Sequence, residues 1–317
     1  MRCVVGMLLF GLIGVAASGC DGPLPGVSTG GDSSTDSAPS AAAWAGAEGD
    51  LSALSDEFEN PALMSQWKRV FEVERTGADQ LEVLDIGRTR DGWLTMTPYT
   101  STWYQDYRGV LVHKDVAGDF VVTTRVAVNR RGGDGPPRSN YSLAGIMIRT
   151  PRDVTPQSWR PGGENYVFLS LGAARQAGRY AFEVKTTVDS RSNLEVTETE
   201  SGVATIQVAR IGPHLVLLRK PEGGDWAVHR RYHRADMPAT LQVGMTVYTD
   251  YAHASRLPPA EHNRQAIRDG EPDLTAAFDF YHFRRPSVPA ELRGRAFSDP
   301  RAVSDAEILR MLGDAAR

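Results

Sequence analysis

The chain has 317 residues, of which 41% are hydrophobic and 23% charged, and its formal net charge is −4. Proteins that bind nucleic acid through its phosphates carry a surplus of basic residues, whereas this chain has 35 Lys and Arg against 39 Asp and Glu. The balance argues against a nucleic-acid partner. The 31 Gly and 19 Pro fit a globular β protein with many turns.

The first 19 residues have the pattern of an export signal. Arg2 precedes a run of 14 residues, 4–17, that is apolar or Gly throughout. This run is shorter than the about 18 residues that a membrane-spanning helix needs, and small residues follow it. Ala17-Ser18-Gly19-Cys20 resembles the bacterial lipobox, which implies that Cys20 is the lipidated first residue of the mature chain. An uncleaved anchor and an ordinary cleaved signal are the alternatives.

The lipobox implies an exported cell-envelope lipoprotein, and the sequence leaves the inner or the outer membrane open. The two cysteines agree with this prediction, because Cys3 would leave with the signal and Cys20 would carry lipid. Residues 20–53 are rich in Gly, Ser, Ala, Pro and Asp. Such a segment buries too little apolar surface to offset its ordering entropy, so we predict a flexible tether.

A polar and aromatic stretch follows the first predicted strands. Residues 99–108 hold four aromatic residues, among them Trp103 and Tyr104, together with Asp106 and Arg108. Sugars stack an apolar ring face on aromatic side chains and bind planar polar groups through their hydroxyls, so the composition is typical of a carbohydrate site. The alternative is a loop whose aromatic residues cover the end of the fold.

Alternation along three later strands places further polar residues on one sheet face. Arg149 ends a strand in which it shares a face with Leu143 and Met147, and Tyr166 begins the next predicted strand. Glu183 and Lys185 share the polar face of strand 180–188. The ligand-binding set predicted for a concave sheet is therefore Trp103, Tyr104, Arg149, Tyr166, Glu183 and Lys185. For Glu183 and Lys185 the alternative is a solvent-side ion pair of small energy.

Four runs within 203–251 read as consecutive strands: Thr205–Arg210, Leu215–Lys220, Trp226–Tyr232 and Thr240–Tyr248. Gly and Pro in the first two intervals are typical of chain reversals, so we predict an antiparallel meander. In the last strand Leu241 and Val243 alternate with Gln242 and Gly244, which predicts one face on a core.

Short motifs in this region support a resemblance. Arg210-Ile211-Gly212, the Gly223–Trp226 turn and the Pro238–Gly244 strand follow one another as in bacterial laminin-G-like and DUF1349-type domains of the concanavalin A-like lectin/glucanase superfamily. The resemblance covers about residues 54–286 and implies an all-β, two-sheet antiparallel sandwich of the jelly-roll type. Further matches are Asp56-Glu57-Phe58 with Trp67, Ala144–Arg149 and Ala277–Phe280.

The superfamily includes lectins, glycosidases and adhesion modules, so the fold leaves the activity open. Its glucanases carry a Glu-x-Asp-x-x-Glu strand, which is absent here, and this favours a non-catalytic module. A hydrolase or lyase that uses Glu183 and an Asp of a facing strand is the alternative. No cofactor and no metal site is predicted, although loop acids such as Asp134, Asp269, Glu271 and Asp273 could hold a structural Ca²⁺.

The C-terminal extension, 287–317, contains one predicted helix. Ser304-Asp305-Ala306-Glu307 is a capping-box pattern ahead of the apolar Ile308 to Leu312 run. Docking of this helix on the sandwich is the default expectation. A third hypothesis for the whole protein is a structural lipoprotein that meets another envelope protein through this helix or through the Arg-rich loop 130–138.

Overall fold

A computed structural model describes residues 49–313. The predicted signal peptide, Cys20 and most of the predicted tether lie outside the described residues. Within them, Leu51 is already buried, and a 3-10 helix, Ser52–Leu54, follows it. The packed part of the chain therefore includes residues that the sequence assigned to the tether.

The fold is a β-sandwich of two antiparallel sheets with seven strands each. We call one the front sheet; its strands, in spatial order, are β1 (Lys68–Arg69), β4 (Val110–Ala117), β13 (Thr240–Tyr248), β6 (Ser142–Arg149), β7 (Tyr166–Ala173), β8 (Ala181–Val188) and β9 (Arg191–Glu198). The back sheet has the order β12 (Ala227–His233), β11 (His214–Pro221), β10 (Val203–Ile211), β5 (Phe120–Asn129), β14 (Thr275–Arg284), β3 (Leu94–Pro98) and β2 (Leu81–Ile86).

The helices of the described residues are short. They are α1 (Val70–Val73), α2 (Tyr251–Ala254), α3 (Pro259–His262) and α4 (Asp305–Leu312), with 3-10 helices at Ser52–Leu54, Pro61–Gln66 and Ala290–Leu292. Residues 68–73 form the two-residue β1 and then α1. The connection between β13 and β14 contains α2 and α3.

The core between the sheets follows from strand alternation. In β13, Leu241, Val243, Met245 and Val247 are fully buried in the inter-sheet cluster, as the sequence predicts. Residues of β6 alternate in the same way, with Ile146 facing this core. Each such side chain contributes about 1.5–3 kcal/mol through burial of its apolar surface.

The predicted four-stranded meander is wrong in its last strand. β10, β11 and β12 do pair in sequence order in the back sheet, but β13 lies in the front sheet between β4 and β6. β4 and β5, which are consecutive along the chain, also belong to opposite sheets and do not pair. Alternation predicts which residues share a face, but strands of both sheets have the same alternation, so it cannot assign a strand to a sheet.

The two ends of the domain meet on the back sheet. Asp56 forms an antiparallel bridge with Tyr281 of β14, and its carboxylate accepts a hydrogen bond of 2.9 Å from Trp67 Nε1. This contact joins the N-terminal segment of the domain to its last strand.

The C-terminal helix docks on the outer face of the back sheet. Ser304 and Glu307 form the predicted capping box, which satisfies backbone donors at the start of α4. Ile308, Met311 and Leu312 pack in one cluster with Val121, Ala209, Val216 and Leu218 of the sheet. The apolar face of α4 is therefore occupied within the domain rather than presented to a partner.

Candidate functional site

The outer face of the front sheet is covered by the chain itself. Residues 99–109, which we call the strap, run across this face, and Ser101 bridges to Thr249 at the end of β13. Beneath the strap an aromatic and aliphatic cluster is fully or almost fully buried: Leu111, Leu143, Met147, Tyr166, Phe168 and Tyr248. Because this face is closed over much of its area, a ligand reaches it only where the strap leaves space.

Trp103 is a core residue of the strap. Its side chain is 0% exposed, and Nε1 donates a hydrogen bond of 3.0 Å to the carbonyl of Val110. The ring packs edge-on against Tyr166, with 5.3 Å between centroids. Close approach of the chain here requires Gly109, since a Cβ at that position would lie 2.9 Å from Trp103 Cδ1. Trp103 and Tyr166 thus attach the strap to the sheet.

Arg149 lies in a buried network of charges. Its Nε lies 2.9 Å from Glu164 Oε2, and its Nη2 lies 2.6 Å from Glu74 Oε1. All three side chains are 0% exposed, and Gln242 accepts a further bond of 2.9 Å from Arg149 Nη1. Burial alone would lower the pKa of Arg149, but the two carboxylates outweigh it and raise that pKa.

Two further arginines complete this network. Arg108 of the strap pairs with Glu74 and donates to Thr76 Oγ1 at 2.7 Å, and Arg152 lies 2.6 Å from Glu164. Removal of one member of such a buried pair leaves an uncompensated charge, which costs about 3–5 kcal/mol. The network therefore fixes the strap and residues 74–76 over the sheet.

Glu183 and Lys185 form a buried ion pair rather than the solvent-side pair considered as the alternative. Lys185 Nζ lies 3.0 Å from Glu183 Oε1, and the side chains are 2% and 0% exposed. Nζ also donates to the Trp103 carbonyl at 2.7 Å, while the Tyr248 hydroxyl donates to Glu183 at 3.2 Å. Burial lowers the pKa of Lys185, and the attraction of Glu183 opposes this effect.

An open pocket of about 150 Å³ lies beside this ion pair. We call it the tyrosine pocket; its lining residues are Thr102, Tyr104, Tyr141, Lys185, Leu194 and Tyr251. Tyr251 stands edge-on to Tyr104 and to Tyr141, at centroid distances of 6.0 and 5.5 Å. The pocket thus has three aromatic walls and one ammonium group.

Residues with a left-handed backbone conformation determine the positions of Tyr141 and Tyr251. Tyr141, directly before β6, has a φ of 52°. Asp250, which lies between the end of β13 and Tyr251, has a φ of 64°. The Asp250 carboxylate stabilises its turn by accepting bonds from Thr100 Oγ1 at 2.7 Å and from the Glu271 amide at 2.6 Å. This contact also holds the strap next to Tyr251.

A buried histidine supports the same segment. His262 Nε2 accepts the Thr102 amide hydrogen at 3.3 Å, so Nδ1 carries the proton and donates to Asn263 Oδ1 at 3.0 Å. Asn263 Nδ2 in turn donates to the Asp106 carbonyl at 2.8 Å. Burial lowers the pKa of His262 to about 4. The neutral imidazole is therefore part of the strap's attachment.

The six predicted ligand residues divide into two groups. Tyr104 and Lys185 line the tyrosine pocket, whereas Trp103, Arg149, Tyr166 and Glu183 are 0% exposed in the layers beneath it. Tyr141 and Tyr251 also line the pocket and are not among the six predicted residues. The available signal was their position at the ends of two predicted strands, since functional residues often lie in the loops that follow or precede strands.

A second, wider groove of about 590 Å³ lies at the same end of the front sheet as Tyr141. Its lining residues are Pro136, Gly178, Arg179, Tyr180, Glu198, Thr199 and Glu200. It therefore combines one arginine with two carboxylates next to a tyrosine.

Within residues 49–313, no three His, Cys, Asp or Glu side chains are grouped in a way that could hold a metal ion. Asp273, one of the loop acids considered for Ca²⁺, accepts the backbone amides of Arg131 at 2.8 Å and Arg138 at 2.6 Å. None of the helices described for the chain is long and apolar enough to cross a membrane.

Comparisons with known proteins return similar structures only. No family model matches the chain, and no curated protein matches its sequence. A functionally unknown protein from Saccharomyces cerevisiae has 13% identity and a TM-score of 0.48, over 71% of this chain and 99% of that one. A xylan β-1,4-xylosidase from Bacillus halodurans C-125 has 15% identity and a TM-score of 0.48, over 73% of this chain and 39% of that one.

Basic winged bean lectin, in a structure with Tn-antigen, has 10% identity and a TM-score of 0.43, over 72% of this chain and 95% of the lectin. This chain therefore spans well under half of the xylosidase but most of the lectin. Identities and TM-scores at this level give no information about the ligand or activity of this chain.

Proposed function

We propose that the protein is an exported, lipid-anchored cell-envelope protein that binds glycan through the tyrosine pocket without cleaving it. The observation that carries the proposal is the arrangement of Tyr104, Tyr141 and Tyr251 around the Lys185 ammonium group. Tyrosine rings offer flat apolar faces for a sugar ring, and their hydroxyls bond its polar edge.

Lys185 supplies a donor for the ligand. An ammonium group has three N–H bonds, and the described residues accept two of them, at Trp103 O and Glu183 Oε1. In the proposed complex the third would donate to a sugar oxygen. Because Nζ is held by two buried acceptors, this donor has a fixed position and loses little entropy when a ligand binds.

The size of the pocket favours a chain end over an extended polysaccharide. Its volume, about 150 Å³, is below the about 300–1,000 Å³ of sites for drug-sized ligands. One sugar residue, with its neighbour at the mouth, matches this volume.

The acids of this face favour binding over hydrolysis. Glycosidases use two carboxylates about 5–10 Å apart on either side of the scissile bond. Glu183 is fully buried and bonded to Lys185 and Tyr248, while Glu74 and Glu164 are paired with arginines. Each of the three carboxylates is thereby held by at least one structural contact, and the Glu183 contacts are both made by Oε1.

The described chain begins at the end of the front sheet opposite to the strap. Arg285 donates to the Gly49 carbonyl at 2.9 Å and to the Ala117 carbonyl at 2.8 Å, at the end of β4 opposite to the strap. The tyrosine pocket lies toward the other end of the front sheet.

The test is a glycan array probed with the full-length chain in detergent, combined with analysis of released oligosaccharides. We expect retention of a subset of glycans, no release, and loss of retention in Tyr251→Ala and Tyr104→Ala. Tyr99→Ala is the matched control, because Tyr99 lies outside the pocket and contacts Arg268. No retained glycan, or retention that survives both pocket substitutions, would overturn the proposal, and released sugar would replace it by an enzymatic function.

A further inference from the structure

An aliphatic side chain stands next to the ammonium group in the wall of the tyrosine pocket. Leu194 lines the pocket, is half-buried, and lies on β9, the edge strand of the front sheet. In the antiparallel ladder between β8 and β9 its direct partner is Lys185, which also lines the pocket. Directly opposite residues project to the same face of a sheet, with their Cβ atoms about 5 Å apart. The wall therefore presents an apolar group and a hydrogen-bond donor side by side.

The charge of Lys185 does not select for an anion. Glu183 Oε1 lies 3.0 Å from Nζ and balances it, and the remaining lining residues are tyrosines, a threonine and a leucine. A ligand with a net charge would lose water in the pocket without gaining a counter-charge, so the lining favours a neutral sugar. Lys185 thus contributes a directed donor rather than a net charge.

The strap adds a hydroxyl group to the same lining. Thr102 is 1% exposed, and its backbone amide donates to His262 Nε2 at 3.3 Å, which fixes its place in the strap. A threonine hydroxyl can accept a hydrogen bond as well as donate one. Besides its three tyrosines, the pocket therefore combines an N–H donor, an oxygen acceptor and a small apolar surface.

We infer that the tyrosine pocket binds a neutral sugar that carries an acetamido group, an N-acetylhexosamine type of residue. The acetamido carbon holds a carbonyl oxygen and a methyl group next to each other, which match the Lys185 ammonium group and Leu194. The amide N–H then donates to the Thr102 hydroxyl. The inference rests on the proposed glycan-binding function and specifies its ligand class, with the sugar ring stacked on the tyrosines as before.

A plain hexose fits the same wall less well. With a hydroxyl in place of the acetamido group, the sugar can still accept a bond from Lys185 but brings no apolar group to Leu194. Contact between a hydroxyl and an apolar side chain removes water from the hydroxyl without replacing its hydrogen bond. The difference between the two sugars is therefore concentrated at Leu194.

The experiment compares matched sugars by calorimetric titration of the full-length chain in detergent. The probes are methyl N-acetylglucosaminide with methyl glucoside, and methyl N-acetylgalactosaminide with methyl galactoside. In at least one pair we expect the acetamido sugar to bind about tenfold more tightly than its partner, as one buried methyl group and one charge-assisted hydrogen bond provide. In Leu194→Ala this preference should fall to about threefold or less, with affinity for the plain hexose unchanged.

Two variants serve as controls. Leu194→Met keeps an apolar side chain in the wall and should keep the preference. Val188→Ala shortens an apolar side chain of β8 that is 39% exposed and is not part of the pocket lining, and it should also keep the preference.

The outcomes separate the inference from the proposed function. Equal affinities within both pairs, a preference that persists in Leu194→Ala, or an equal loss in Val188→Ala would overturn the inference and leave the proposed function standing. Binding by none of the four sugars would overturn the inference as well, and together with an empty glycan array it would overturn both.

Discussion

Lys185 Nζ lies 3.0 Å from Glu183 Oε1 on adjacent outward positions of β8, and both side chains are almost completely shielded from water. The same ammonium group donates to the Trp103 carbonyl of the strap at 2.7 Å. One lysine therefore neutralises a buried acid, fixes the strap and forms part of the tyrosine pocket.

Replacement of Lys185 should be strongly destabilising. Lys185→Met leaves the Glu183 carboxylate buried without its cation, and we expect the free energy of unfolding to fall by about 3–5 kcal/mol. Urea denaturation at neutral pH measures the change. The double variant Glu183→Gln/Lys185→Met should recover part of this loss, because the buried charge is then removed as well.

An exposed ion pair provides the control. Arg230 and Glu195 are 40% and 44% exposed, so Arg230→Met should cost about 1 kcal/mol or less. A loss in Lys185→Met as small as that in Arg230→Met would contradict the role assigned to the buried pair.

Substitution of Trp103 should lower the stability of the fold, because Trp103 is a core residue and not a pocket residue. Because its ring is fully buried against Tyr166, we expect Trp103→Ala to lower the free energy of unfolding by about 3–5 kcal/mol, as other large-to-small core changes do. Tyr104 is only partly buried, so Tyr104→Ala should be milder. Chemical denaturation of both variants checks this order, and the reverse order would show that the strap does not pack as described.

Stability should fall in mild acid. The pKa of His262 is about 4 in the folded chain, below its value of 6.5 in the absence of burial, so the unfolded chain takes up a proton first as the pH falls. The stability that the neutral His262 contributes above pH 6.5 is therefore lost progressively as the pH falls toward 4. For a pKa shift of this size the free energy of unfolding falls by about 3 kcal/mol. Urea midpoints between pH 7 and 4 measure the loss.

His262→Gln should reduce the acid sensitivity, because the amide can still accept the Thr102 hydrogen but does not titrate. His229, whose pKa burial likewise lowers to about 4, lies on β12 of the back sheet and offers a comparison. His229→Gln should reduce the pH dependence by a similar amount. An unchanged profile in His262→Gln would show that the imidazole is not buried in its neutral form.

The C-terminal helix should stabilise the sandwich through one apolar contact surface. Leu312 is fully buried in a cluster with Val121 and Val216, so Leu312→Ala should cost about 2–5 kcal/mol. Arg310→Ala, on the exposed side of α4, should change the free energy of unfolding by about 0.5 kcal/mol or less. Equal effects in thermal or urea denaturation would indicate that α4 does not dock.

The alternation of β6, β8 and β13 determined which of their side chains share a face, and the capping-box sequence determined the start of α4. Both are local properties, since strand and helix periods are set by the backbone of a few adjacent residues. The composition of the strap predicted Tyr104, and the alternation of strand 180–188 predicted Lys185, as two of the six candidate ligand residues.

Only the tertiary structure decided what covers each sheet face. Trp103 and Arg149 have polar groups that sequence reasoning directs toward a ligand, but Val110, Glu74 and Glu164 satisfy those groups internally. Burial of a polar group depends on partners that are distant in sequence, and no local pattern records them. For the same reason, the meeting of Tyr141 and Tyr251 beside Lys185 follows from the order of strands in the front sheet.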